Sequence, residues 1–177
     1  MQRKFFLLFL GTVFVVFLFF YLFEEFYYYR DGSEWVFPLP SRETITIRRD
    51  RLGKGDFGAK RNGGRRHQGV DLLAEVGTPV AAVRSGRVRI GNVPRGMGKF
   101  VIVTHRDGTK SLYGHLSEIY VSDHSRVRQG QWIGAVGKTG NASSKAVSPH
   151  LHFEIRYGKK ILNPTPILAQ AMLSESS

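Results

Sequence analysis

The chain has 177 residues, enough for one domain of ordinary size plus a short appendage. It contains no cysteine, which excludes disulfide staples and thiolate metal sites, so any metal must be held by His, Asp or Glu. The formal net charge is +12, and without Arg3 and Lys4 the remainder still carries 24 basic against 14 acidic residues. That surface suits an anionic partner: nucleic acid, anionic lipid or an acidic wall polymer.

Residues 5–23 read FFLLFLGTVFVVFLFFYLF, nineteen residues without a charge. As a helix the run is about 28 Å long, close to a bilayer core. Arg3 and Lys4 precede it and Glu24 and Glu25 follow, so the positive-inside rule puts the N-terminus in the cytoplasm and the rest outside. Phe26, Tyr27, Tyr28, Tyr29 and Trp35 resemble an interfacial aromatic belt. The alternative is a cleaved signal peptide, but the run is longer than a usual signal core and no small-residue cleavage site follows. An uncleaved signal-anchor is the expectation, with 1–4 cytoplasmic and 24–40 a short linker ending at the PLP of 38–40.

Beyond Pro38, short β-branched runs alternate with Gly-rich turns, which predicts an all-β domain, a small antiparallel sheet or sandwich. The expected strands are 44–48, 68–72, 79–83, 86–90, 99–105, 109–115, 131–136 and 150–156, with one short helix over 164–174. RDGT at 106–109 signals a hairpin whose two turn residues are Asp107 and Gly108. That register pairs 105 with 110 and 100 with 115, and points His105 and His115 to opposite faces. A slip of one residue would reverse the conclusion.

Six histidines carry the chemical question: 67, 105, 115, 124, 150 and 152. In PHLHFEIR (149–156), alternation puts His150, His152 and Glu154 on one face and Leu151, Phe153 and Ile155 on the other. In HQGVD (67–71), His67 and Asp71 share a face with Gly69 between them, where a glycine leaves room for an ion. Taken alone, such a pair is more often a strand-edge His beside a solvated Asp. Beside His-Leu-His it gains a third nitrogen of the same kind. Three protein ligands with an open fourth position is the pattern of catalytic zinc, and imidazole with one carboxylate suits zinc better than calcium or magnesium. HExxH is absent, so a base must come from nearby imidazoles, and His115 and the second histidine of the pair are the candidates. Glu154 has the parity to orient a ligand, and a solvated strand end serves it equally well. His105 is read as structural and His124, in a polar turn, as surface.

The stretches FGAKRNGGRRHQGVDLLAEVGTPVAAVRSGRV, KFVIVTHRDGTKSLYGHLS, VRQGQWIGAVGKTG and SPHLHFEIR, in this order, resemble the lysostaphin-type (LytM-like) zinc endopeptidases that cut peptide cross-links of bacterial peptidoglycan. The resemblance runs from Gly55 to Ile167. It implies one zinc per chain on His67, Asp71 and His152, with His115 and His150 as the catalytic pair, in a LytM-like peptidase domain over 41–168 followed by a tail of 169–177. Two loops, 91–99 and 138–152, look longer than the pattern, and Ser148 stands where glycine is common. They bear on substrate preference.

Three rival readings compete with this one. Some relatives bind and activate other wall hydrolases without catalysis. GTPVAAVRSGRV and VRQGQWIGAVGKTG also read like half-motifs of a lipoyl barrel, which would leave the histidines unexplained. Nucleic acid suits the charge and not the expected extracytoplasmic location. Residues 42–66 hold nine Lys/Arg against three Asp/Glu. Such a run is ordinarily a solvated face. Arg61, Arg65 and Arg66 beside His67 are nonetheless candidates to attract stem-peptide carboxylates or anionic wall polymers.

Overall fold

The computed structural model describes residues 2–28, 35–40 and 45–175. Helix α1 (Gln2–Tyr28) is followed by an antiparallel β domain and closed by α2 (Pro164–Glu175). The strands are β1 (Arg49–Asp50), β2 (Gly53–Lys54), β3 (Val70–Leu73), β4 (Pro79–Ala81), β5 (Gly86–Val93), β6 (Gly98–Thr104), β7 (Thr109–Ile119), β8 (Arg126–Val127), β9 (Trp132–Val136), β10 (His150–Tyr157) and β11 (Lys160–Leu162). One sheet runs β11-β10-β7-β6-β5-β8, with β3 added to β10 and β9 bridging β7 and β4; β1 and β2 pair separately. The fold is therefore mostly antiparallel β. Seven of the eight expected strands are present with shifted ends, whereas the described part of the run expected at 44–48 makes only a single bridge, Ile47 to Leu72. Thr44, Tyr29, Met1 and the side chains of Arg3, Lys4, Glu24, Glu25, Tyr27 and Tyr28 lie outside the described residues. The short β1, β2, β8 and β11 are additional to the strands expected from the sequence.

The apolar N-terminal run does form a helix, and Phe5, Phe9, Phe14, Phe17 and Phe20 on it are exposed. Among the described residues, however, no helix is long and apolar enough to cross a membrane. The transmembrane part of the expectation is corrected to an exposed apolar helix.

The core lies on the face of β10 that carries Leu151, Phe153 and Ile155, all fully buried. Each contributes about 1.5–3 kcal/mol by leaving water. Tyr113 packs against Phe153 at 5.4 Å between ring centroids. The stretch expected as linker also feeds this core: Phe37 and Leu39 are buried in it, held by Val36 N–H to the Val83 carbonyl and Ala81 N–H to the Pro38 carbonyl.

The hairpin at 106–109 departs from the expected register. His105 N–H donates to the Thr109 carbonyl, and Thr104 faces Lys110. The connection therefore has three residues, 106–108, with Gly108 in the left-handed region at φ 83°. Asp107 causes the shift, because its carboxylate accepts both the N–H and the hydroxyl of Thr109 and fixes the wider turn. This slip by itself would put His105 and His115 on one face. A second irregularity restores the difference: three residues of β6 (Lys99 to Val101) face four of β7 (Tyr113 to Leu116), and His115 sits at φ 63°. The extra residue turns His115 to the face of His150 and His152. His105 keeps the core face, where Nδ1 bonds the Ser85 carbonyl and Nε2 the Ser111 hydroxyl, which continues to the Tyr113 hydroxyl.

His105 is thus a buried core histidine. His105→Ala should cost about 1–3 kcal/mol by orphaning buried polar partners, read by urea unfolding, and should leave metal content unchanged. A change in metal stoichiometry would contradict the structural role.

Candidate metal centre

Strand β10 supplies the centre of the site through its second face. In antiparallel register His152 lies opposite Asp71 of β3 on one side and Gly114 of β7 on the other. His67 arrives from the segment ahead of β3, held by its own N–H to the Ala59 carbonyl and by Gly58 N–H to its carbonyl. Gly69 does not serve to leave room for an ion, as expected from the sequence. A Cβ there would stand 2.3 Å from the Phe153 carbonyl oxygen and 2.8 Å from Glu154 Cγ, so glycine lets the chain pass close to β10.

Three ligand atoms converge. His67 Nε2 is 3.0 Å from His152 Nδ1 and 3.0 Å from Asp71 Oδ1, and His152 Nδ1 is 2.8 Å from Asp71 Oδ1. All three residues are buried, and together they form a group able to hold a metal ion. The tautomers follow from the outer partners. His67 Nδ1–H donates to the Asp56 carbonyl at 2.9 Å, and His152 Nε2–H to Glu154 Oε1 at 2.9 Å. The two remaining nitrogens and the carboxylate oxygen therefore aim lone pairs at one another. A metal cation, or a proton on His152, relieves that repulsion. The spacing is close to the edge of a tetrahedral zinc site, about 3.3 Å for zinc–nitrogen bonds of about 2.0–2.1 Å. The residues present fit zinc.

Two more imidazoles flank the triangle. The His115 ring lies 4.9 Å from that of His150 and 5.7 Å from that of His152, centroid to centroid. His115 Nδ1–H donates to the Thr139 carbonyl at 2.9 Å and His150 Nδ1–H to the Ser148 carbonyl at 2.7 Å, leaving both Nε2 atoms unprotonated. His150 Nε2 is 3.8 Å from Asp71 Oδ1. Burial, then the neighbouring His150 and His152, push His115 down to about 3. His150 is lowered as well, chiefly by burial. His152 is raised to about 9: burial opposes its charge, but hydrogen bonds to Asp71 and Glu154 outweigh it. Asp71 is held below the usual carboxylate range because the imidazole hydrogen bonds overcome its burial. Without metal, the proton on His152 takes the cation's place.

The metal-free chain should accordingly be most stable near pH 6.5. His152 contributes fully below 6.5, and its contribution is lost as the pH rises to about 9; His115 binds protons less readily folded than unfolded, so stability is lost as the pH falls from 6.5 toward about 3. Thermal midpoints of chelator-treated protein across that range check this, and midpoints rising monotonically to pH 9 would contradict it.

Of the three arginines singled out from the sequence, Arg61 is turned inward, one amino group on Asp71 Oδ2 at 3.2 Å and the other on the Lys54 carbonyl. Arg65 and Arg66 are exposed, with Arg66 bonded to the Gly58 carbonyl. The partner missed by sequence reasoning is Arg48, buried and donating through Nε (3.2 Å) and an amino group (3.0 Å) to Asp71 Oδ2. Its only signal was a charge inside the β-branched run TITIR. His124 is exposed beside Asp123, as expected.

Known proteins resemble this chain in sequence and in fold. In Escherichia coli (strain K12), Murein hydrolase activator NlpD is 37% identical over 115 residues, 64% of this chain and 28% of NlpD. DD-carboxypeptidase/endopeptidase Mpg of Neisseria gonorrhoeae is 38% identical over 113 residues, 60% of this chain and 25% of Mpg. The chain thus spans less than a third of the length of either curated relative. The catalytic domain of the antimicrobial peptidase lysostaphin from Staphylococcus simulans matches with a TM-score of 0.56 at 33% identity, over 68% of this chain and 92% of that domain. The model of Peptidase family M23 matches residues 65–164, more than half of the sequence. On fold, site and family match together, the chain belongs to Peptidase family M23.

Proposed function

We propose that this chain is a zinc-dependent endopeptidase that hydrolyses peptide cross-links of bacterial cell-wall peptidoglycan. The observation that carries the reading is the meeting of three lone-pair donors, His67, Asp71 and His152, with two further unprotonated imidazoles beside them. Zinc held by those three residues supplies a Lewis acid that polarises the scissile carbonyl and brings the pKa of a water toward neutrality. His115 and His150 supply the proton handling. Each keeps Nδ1–H on a main-chain carbonyl and offers Nε2, so one takes a proton from the attacking water and returns it to the leaving amine. Once protonated, either imidazole also stabilises the negative oxygen that develops on the substrate. Glu154 holds His152 in its ligating tautomer and is itself held by Arg156.

The exposed guanidinium groups of Arg65 and Arg66, with Arg61 behind them, form a basic rim suited to stem-peptide carboxylates or anionic wall polymers. We place the activity outside the cytoplasm and beside the membrane, brought there by the apolar helix α1.

A second reading draws on NlpD, which is named a murein hydrolase activator. The chain would then bind and activate other wall hydrolases without cutting. The complete ligand triangle and both flanking imidazoles favour catalysis. Zinc analysis of the purified chain, followed by mass spectrometry of fragments released from purified peptidoglycan, separates the two. One zinc per chain and new amine termini with one water gained per cut are expected. One zinc with no released fragment, and stimulation of an added wall hydrolase, would establish the activator reading instead.

A further inference from the structure

The site is braced by a segment outside the stretch 65–164 that the family model covers. Just ahead of β1, residues 46–48 run beside β3: Leu73 N–H donates to the Thr46 carbonyl, Ile47 bridges Leu72, and Arg48 N–H donates to the Asp71 carbonyl. Arg48 is 5% exposed. Its guanidinium joins two carboxylates. Nε and one amino group grip Asp71 Oδ2, while the other amino group donates to Asp50 Oδ2 at 2.6 Å. Asp50 Oδ2 also accepts the Ser148 N–H at 3.0 Å, and its Oδ1 accepts the Leu52 N–H at 2.9 Å. The Ser148 carbonyl, in turn, receives the proton on His150 Nδ1. A continuous path of hydrogen bonds therefore runs from the carboxylate of one ligand, through Arg48 and Asp50, to the loop that sets the ring of His150.

We propose that Arg48 is a positioning residue that fixes Asp71 for metal binding and, through Asp50 and Ser148, sets the orientation of the His150 imidazole. The inference rests on the metal-site reading above and deepens it. Arg48 suits the task because its planar fork reaches two carboxylates at once, which a lysine ammonium on a mobile stem does not do with fixed geometry. With Oδ2 gripped from behind by Arg48 and Arg61, Asp71 is left to present Oδ1 to the imidazoles. The two ends of the brace also separate experimentally. Asp50→Asn weakens the hold on Ser148 and keeps Arg48 against Asp71. Arg48→Met removes both.

The test uses the full chain, with zinc affinity measured by chelator competition and the histidine ring signals followed by nitrogen-15 NMR. Arg48→Met should weaken zinc binding about 10–100-fold and shift the His150 ring signals. Asp50→Asn should hold zinc within about twofold of the parent yet still shift the His150 signals, and Arg48→Lys should restore zinc only in part. Equal zinc affinity in parent and Arg48→Met would overturn the proposal. So would His150 signals unmoved in both variants, even if their thermal midpoints drop, since that would leave only a structural role. Neither readout involves hydrolysis. A parent chain that binds zinc and cuts nothing would therefore refute the peptidase reading while leaving this one standing or falling by its own measurements.

Discussion

Replacing Asp71 by alanine should take zinc from one per chain to essentially none, abolish hydrolysis and destabilise the fold by about 3–5 kcal/mol. The carboxylate works at both ends. Oδ1 completes the triangle with His67 and His152, and without it two imidazole nitrogens 3.0 Å apart keep no anionic partner to offset the charge of a divalent ion. Oδ2 accepts from Arg48 and Arg61, and Asp71 is only 2% exposed. Its loss leaves Arg48, itself buried, with Asp50 alone. Asp71→Asn keeps the volume but puts an amide where an anion belongs, so it should lose metal too while preserving more of the fold. Elemental analysis gives the stoichiometry and urea unfolding the stability. Unchanged zinc content in Asp71→Ala would remove the ligand assignment, and with it the reading of the whole site.

Such a result concerns residues that the sequence already marked, and it is instructive which features were marked and which were not. Strand β10 was legible because its alternation is strict: Leu151, Phe153 and Ile155 are fully buried in the core, and His150, His152 and Glu154 share the other face. Spacing suggested His67 and Asp71 with a third nitrogen from the His-Leu-His pair, and the family resemblance chose His152; antiparallel pairing of β3 with β10 does bring 71 opposite 152. The separation of His105 from His115 came out as expected on a mistaken register. The Asp107 turn shifted the pairing by one residue, and the bulge at His115 shifted it back. Neither event shows in periodicity, since each depends on a local side-chain bond or a left-handed residue. Arg48 was illegible for another reason. A lone arginine in a β-branched run reads as solvent-facing, and only the tertiary approach of residues 46–48 to β3 turns it onto Asp71. The core role of Phe37 and Leu39 was hidden in the same way behind the prolines that suggested a linker.

Removing the imidazole of His115 should lower kcat about 10²–10⁴-fold while zinc stays at one per chain. Asparagine is the informative replacement. His115 occupies the left-handed region at φ 63°, which asparagine tolerates and alanine does not, so His115→Asn removes the base without straining β7. The residue lies beside the ligand triangle and is not part of it, which is why metal content should be indifferent. Its neutral state is enforced. Burial and the adjacent His150 and His152 bring it down to about 3, so it offers a lone pair well into the acid range, and burial lowers His150 in the same direction. The acid limb of the parent's kcat profile should therefore fall below the ordinary imidazole value of 6.5. Thr139 adds a check on geometry. Its carbonyl holds His115 Nδ1–H, while its hydroxyl accepts from Lys99 N–H and donates to the Leu116 carbonyl across the bulge. Thr139→Val should consequently lower kcat in the same direction, by less than His115→Asn, with KM and zinc unchanged. Full activity in His115→Asn, measured by fragment release from peptidoglycan at saturating substrate, would show that His150 alone handles the proton.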